Sequence, residues 1–145
     1  MSSLTTAPST IAARRLWWAG PLTAIAAVAA NLVVRALLFT IFNPPADFPP
    51  LQPPPIAMFT FAGTLLAAPV LAIVARFSRA PIQTFAVVAA VALVVSILPN
   101  LALMANPAAS PFPGGSAFAF GLLIVFHVVA AVVCVVLLTA LTRKR

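Results

Sequence analysis

The chain has 145 residues, 63% of them hydrophobic and only 6% charged, with eight lysines and arginines set against a single acid and a net charge of +7. Soluble domains carry about a quarter charged residues, so this composition, with a mean hydropathy of +1.18, excludes a soluble globular domain and leaves an all-α integral membrane protein. One carboxylate side chain, one histidine and one cysteine provide no acid–base pair, no intrachain metal constellation and no disulfide. No phosphate-binding glycine loop is present, and the expectation is a protein without catalytic activity, cofactor or metal.

Residues 1–13 read as a short disordered tail, and residues 14–145 as one transmembrane domain. The first apolar segment, Leu16–Ile41, is long enough to span a bilayer, which takes about 20 residues. A competing reading makes Arg14/Arg15 and Leu16–Ala26 a signal peptide cleaved after the AVA at 27–29. Apolar sequence continuing to Phe42 favours the full span instead.

Residues 42–55, FNPPADFPPLQPPP, hold seven prolines and Asp47. Proline fixes φ and lacks an N–H, so this stretch is expected to be an irregular connector. The second span is expected over Ile56–Ala75, with Pro69 kinking it by freeing the carbonyl of Leu65. No charged side chain occurs from Ala80 to Thr142, a length that as one helix would measure about 95 Å and must therefore fold back. The prolines and glycines of PNLALMANPAASPFPGG, residues 99–115, place that break. They leave the third span as Pro81–Leu98 and the fourth as Ser116–Leu141. The octets beginning at Asn43 and Asn106 agree at four of eight positions, a weak hint of duplication in so proline-rich a background.

Seven of the eight basic residues fall at Arg14/Arg15, Arg76/Arg79 and Arg143/Lys144/Arg145, each cluster separated from the next by two spans. The positive-inside rule puts all three in the cytoplasm, with both termini inside and both proline-rich loops outside. Trp17 and Trp18 suit an interfacial belt. The positive charge is thus topogenic, with some attraction for anionic lipid, and nucleic acid is not an expected partner.

Polar side chains within spans are costly and mark bundle interiors. On the first span Gly20, Ala24, Ala27, Asn31 and Arg35 share a face of small residues that should be buried. On the fourth, His127 shares a face with Ala130, Ala131 and Cys134. Helix rise puts Asn31 and His127 both about 16 Å below the outer helix ends and Arg35 about 10 Å below, so the three could meet. Thr60, Thr64 and Ser96 could complete an outward-facing polar patch. Each also has a plainer reading. Arg35 can snorkel, Asn31 and His127 can bridge helices, and the hydroxyls can bond their own backbones. Cys134 reads as a packed thiol. Axial ligation of a haem or pigment by His127 is a minor alternative. Arg35 and Asp47 are expected to make contact, directly or through water, making the first loop a lid.

NLVVR in the first span, Phe-Pro-Pro-Leu in the loop, PIQTF and SILPN bounding the third span and HVVAA in the fourth occur in this order. Over about residues 14–142 the chain resembles a group of small bacterial four-span membrane proteins classed as a domain of unknown function. The resemblance implies a bacterial cytoplasmic-membrane location and singles out Asn31, Arg35, Ser96, Asn100 and His127. Two functions fit. One is a packing or accessory subunit, or a self-associating scaffold, in a homo-oligomer or larger membrane complex. The other is a small-molecule or ion binding or translocating unit built on Asn31, Arg35 and His127.

Overall fold

The computed structural model describes residues 11–144. It contains four long helices, α1 (Leu16–Phe42), α2 (Pro53–Phe77), α3 (Pro81–Ala105) and α4 (Ala117–Thr142), and each is long and apolar enough to cross a membrane. Short 3₁₀ turns occur at Ala13–Arg15, Pro49–Leu51 and Pro107–Ala109. The α1 helix runs unbroken through the AVA of the signal-peptide reading.

Two helix bounds correct the sequence reading. The α2 helix begins at Pro53, so the last three prolines of the connector form its first turn. The first backbone N–H groups of a helix have no intrahelical partner, and proline loses nothing by lacking one there. The α3 helix runs on through Pro99 to Ala105, seven residues past the expected end at Leu98. One interior proline removes one hydrogen bond and bends the helix. The apolar run Leu101–Met104 beyond it keeps the helix going, and the break falls at Asn106. The α4 bound agrees to one residue, because Ser116 is the N-cap and its Oγ accepts from the N–H of Ala119 at 3.1 Å.

The helices form an open arc. The α1 helix packs between α2 and α4, and α3 packs on the far side of α4. Gly20, Ala24, Ala27 and Asn31 of the small-residue face of α1 are buried as expected, with Ala19 beside them, whereas Arg35 on the same face is only half-buried. A Cβ at Gly20 would come within 2.8 Å of the Ala68 Cβ, so the backbones of α1 and α2 touch there only because residue 20 has no side chain. Two apolar clusters hold the ends of the bundle. At the end carrying the chain termini are Ile11, Leu16, Leu71, Phe85 and Leu138, and at the opposite end are Phe48, Leu51, Ile56, Phe120 and Phe126.

Residues 11–13, assigned to the tail by sequence, belong to the fold. Ile11 is buried, pairs as an isolated antiparallel bridge with Arg143, and the Ala12 N–H donates to the Thr142 carbonyl at 2.8 Å. Burying Ile11 against Leu16 and Leu138 gives this segment an apolar anchor. The rest of the proposed tail, residues 1–10, lies outside the described residues.

The two proline-rich connectors pack together over the other end. Phe48 meets Phe112 and Phe120 edge to face, with ring centroids 6.3 and 5.3 Å apart. Their local structures differ, since the first loop leaves α1 through Asn43 in the left-handed region (φ 44°) whereas Asn106 has a negative φ (−138°). The duplication hint therefore has no counterpart in loop conformation.

Candidate functional site

The sequence-nominated polar residues divide into three places. Asn31 is fully buried at the middle of the bundle and donates through Nδ2 to Thr60 Oγ1 at 2.9 Å and to the Phe126 carbonyl at 3.2 Å. One amide thus ties α1 to both α2 and α4. Its Oδ1 and the Thr23 hydroxyl are buried without a hydrogen-bond partner among the described residues. Asn31 reaches the backbone next to His127, not the imidazole, which corrects the expectation that the two side chains meet. The ring is committed locally: His127 Nδ1 lies 2.7 Å from the Leu123 carbonyl one turn earlier. A carbonyl only accepts, so Nδ1 carries the proton, and a neutral ring then offers Nε2 as an acceptor.

Arg35 is half-buried near the other end of α1. Its Nε donates to the Leu51 carbonyl at 2.6 Å, and its guanidinium lies 4.0 Å from the centroid of the Phe39 ring. The expected Arg35–Asp47 contact does not form as a direct hydrogen bond or ion pair. Leu51 explains why: in a helical turn its carbonyl would accept from residue 54 or 55, and Pro54 and Pro55 have no N–H. The arginine supplies the missing donor. Asp47 is exposed and lies across the second loop instead, with Oδ1 3.2 Å from where a Cβ on Gly114 would sit. Gly114 itself has φ +71°.

The third place is a groove. Helices α2 and α3 are joined by residues 78–80 and diverge from there, leaving a cleft of about 950 Å³ floored by α4. Thr60, Thr64, Ser96, Asn100 and His127 all line it, whereas Asn31, Arg35 and Asp47 do not. Most of its walls are apolar, with small residues, Gly63, Ala67, Ala89, Ala92, Ala130 and Ala131, along its length. Thr64 and Ser96 satisfy their hydroxyls on the backbone carbonyls of Thr60 (2.6 Å) and Leu93 (2.8 Å), as the plainer reading expects. Thr60 departs from that reading by accepting across helices from Asn31. Asn100 is different: it is only 8% exposed, and its side chain makes no hydrogen bond among the described residues. Cys134 is buried and lines the same groove. Among the described residues no three His, Cys, Asp or Glu side chains gather.

Sequence reasoning missed the groove itself, because its existence depends on how far α2 and α3 splay. It also missed Leu51 as the partner of Arg35, although the three following prolines signalled a carbonyl without a donor. No curated protein matches the chain, and no solved structure does. A family model does match, over residues 11–144, nearly the whole described chain, so this four-helix protein belongs to the family of unknown function DUF6069.

Proposed function

We propose that this protein is a non-enzymatic subunit of the bacterial cytoplasmic membrane that receives a transmembrane helix, from a second copy or from a larger complex, in the groove between α2 and α3. One observation carries the reading: a cleft of about 950 Å³ between two spanning helices, lined by Gly63, Ala67, Ala89, Ala92, Ala130 and Ala131. Apolar burial does not drive association between helices in lipid. Close approach does, and small residues permit it. A Cβ at Gly63 would meet nothing within 4 Å, so this glycine is not required by packing inside the chain. The test is Gly63→Trp combined with crosslinking in native membranes from a cysteine at Val88, in a Cys134→Ala background. The reading expects a crosslinked species in the parent that Gly63→Trp abolishes while the monomer stays folded. A parent that is monomeric and uncrosslinked in native membranes would refute it.

Asn100 favours a second reading, a small-molecule site in the half of the groove nearest the proline-rich loops. The residue is only 8% exposed, its side chain makes no hydrogen bond among the described residues, and the His127 ring lines the same cleft. A ligand offering one acceptor to Asn100 and one donor to Nε2 of His127 would satisfy both. Mass spectrometry of material purified in mild detergent tests this, with Asn100→Leu expected to release the bound molecule. A haem or pigment on Nε2 would show as a visible absorption band lost in His127→Phe.

A further inference from the structure

At the end of the bundle carrying the chain termini, a second cavity of about 350 Å³ is lined by Arg15, Trp18, Ala140, Leu141 and Arg143. We propose that it holds the phosphate group of an anionic phospholipid, with Arg15 and Arg143 as ligands and the apolar wall against the start of the acyl region.

The fold brings the two arginines together across 128 residues of sequence. The backbone bridge between Ile11 and Arg143, the Ala12 N–H to Thr142 carbonyl bond, and the contact of Arg15 Nη1 with the Arg143 carbonyl at 3.4 Å fix the start of α1 against the end of α4. That one long contact engages a single donor of Arg15, and a guanidinium has five. Among the described residues the side-chain charge has no carboxylate partner: the only acidic side chain, Asp47, is at the opposite end of the bundle, against Gly114. Two guanidiniums beside a cavity, with no carboxylate near them among the described residues, suit an external anion, and the planar fork of arginine matches phosphate oxygens two at a time.

The cavity's position selects a lipid as the source. It sits where the apolar spans α1 and α4 end, beside Trp18, a residue type that favours the headgroup level. At about 30 Å³ per water it has room for about a dozen waters, more than a phosphate group alone fills. Its lining gives cations to the phosphate, and Trp18, Ala140 and Leu141 give apolar surface to the glycerol backbone and the first acyl carbons. A phosphatidylglycerol head presents one net negative charge, whereas phosphatidylcholine would add a quaternary ammonium to an already cationic site.

The experiment uses the full chain in mild detergent, titrated with phosphatidylglycerol or phosphatidylcholine and read by native mass spectrometry. Phosphatidylglycerol should bind more tightly, and Arg15→Gln/Arg143→Gln should cut that preference about tenfold, a loss of about 1.4 kcal/mol. Arg76→Gln/Arg79→Gln, which removes the same charge from residues outside the cavity, should change it less than twofold. The corresponding lysine pairs, which keep the charge and lose the fork, should show a severalfold loss at the cavity and none at 76/79, and they serve if the glutamine pair does not fold. Equal losses from both pairs would reduce the effect to general surface charge and overturn the site. Displacement of the lipid by millimolar inorganic phosphate would assign the cavity to free phosphate and overturn the lipid assignment.

Discussion

Arg35 donates its Nε–H to the carbonyl of Leu51 at 2.6 Å, so the end of α1 is tied to the first proline-rich loop through backbone and not through the loop's carboxylate. The carbonyl needs a donor because prolines come after it, and the arginine needs an acceptor because it is half-buried. Each answers the other. A hydrogen bond to a charged group contributes about 1.5–3 kcal/mol, and the Phe39 ring at 4.0 Å adds about 0.5–1 kcal/mol.

Arg35→Leu should therefore destabilise the protein by about 2 kcal/mol, and Arg35→Lys by about half as much, since lysine keeps a charge but loses the fixed Nε geometry. Asp47→Asn should cost under about 0.5 kcal/mol, as expected for an exposed side chain outside any pair. In a double-mutant cycle the two sites should be additive to within about 0.5 kcal/mol. Thermal unfolding in mild detergent supplies the four values. A larger coupling would restore the direct ion pair.

Asn31 should be the most sensitive polar position in the bundle. It is fully buried, and removing it takes the partner from the Thr60 hydroxyl and leaves the Phe126 carbonyl with only its helical hydrogen bond. Interhelical hydrogen bonds in membranes average about 0.6 kcal/mol with a maximum near 1.7, so Asn31→Leu should cost about 1–2 kcal/mol. Thr60→Val should cost about 0.6 kcal/mol. Asn31→Asp should be worse than Asn31→Leu, because a carboxylate cannot donate to a carbonyl and its charge has no buried partner. An Asp variant as stable as the native chain would mean that the amide is not the donor at this position.

How much of this was legible in the sequence depends on which forces are local. The four spans, the burial of Gly20, Ala24, Ala27 and Asn31 on one face, and the start of the fourth span at Ser116 to within one residue are consequences of length, hydropathy and spacing. Pro53 and Pro99 were misread because proline's effect depends on its place in the helix: at the first turn it is free, and in the interior it bends an apolar helix instead of ending it. Asn31 and His127 do lie at similar depth, but rotation about each helix axis, set by packing, points the amide at a backbone carbonyl and the imidazole at its own preceding turn. The 128-residue closure between Arg15 and Arg143 left no local trace. Nor did the splay of α2 from α3.

The basic clusters alone predict which side of the membrane each end faces, and labelling tests it. Ala80, between α2 and α3, and Ala108, between α3 and α4, are exposed at opposite ends of α3. Cysteines placed there should react with an impermeant maleimide from opposite faces, Ala108→Cys from outside and Ala80→Cys only after permeabilisation. The native Cys134 is buried in its span and should stay silent. Labelling of both positions in intact cells would invalidate the four-span arrangement.

Gly20 and Ala68 give the sharpest test of how α1 and α2 meet. A methyl group at residue 20 would lie 2.8 Å from the Ala68 Cβ, inside any sustainable carbon–carbon contact, and an alanine Cβ is fixed to its helix backbone and cannot swing aside. The helices would have to part. Overpacking of this kind costs about 1–3 kcal/mol, which exceeds the helix-propensity gain of up to about 1 kcal/mol for replacing glycine by alanine. Gly20→Ala should therefore destabilise the protein. Gly63, by contrast, has open space where its Cβ would go, so Gly63→Ala should realise the propensity gain and leave the chain unchanged or slightly more stable. Adding Ala68→Gly to Gly20→Ala removes the opposing methyl and should return most of the loss, although Ala68→Gly alone is destabilising. That sign reversal cannot come from propensity, which would make the second glycine harmful in either background. If Ala68→Gly is equally harmful in both, the two helices do not meet at these residues.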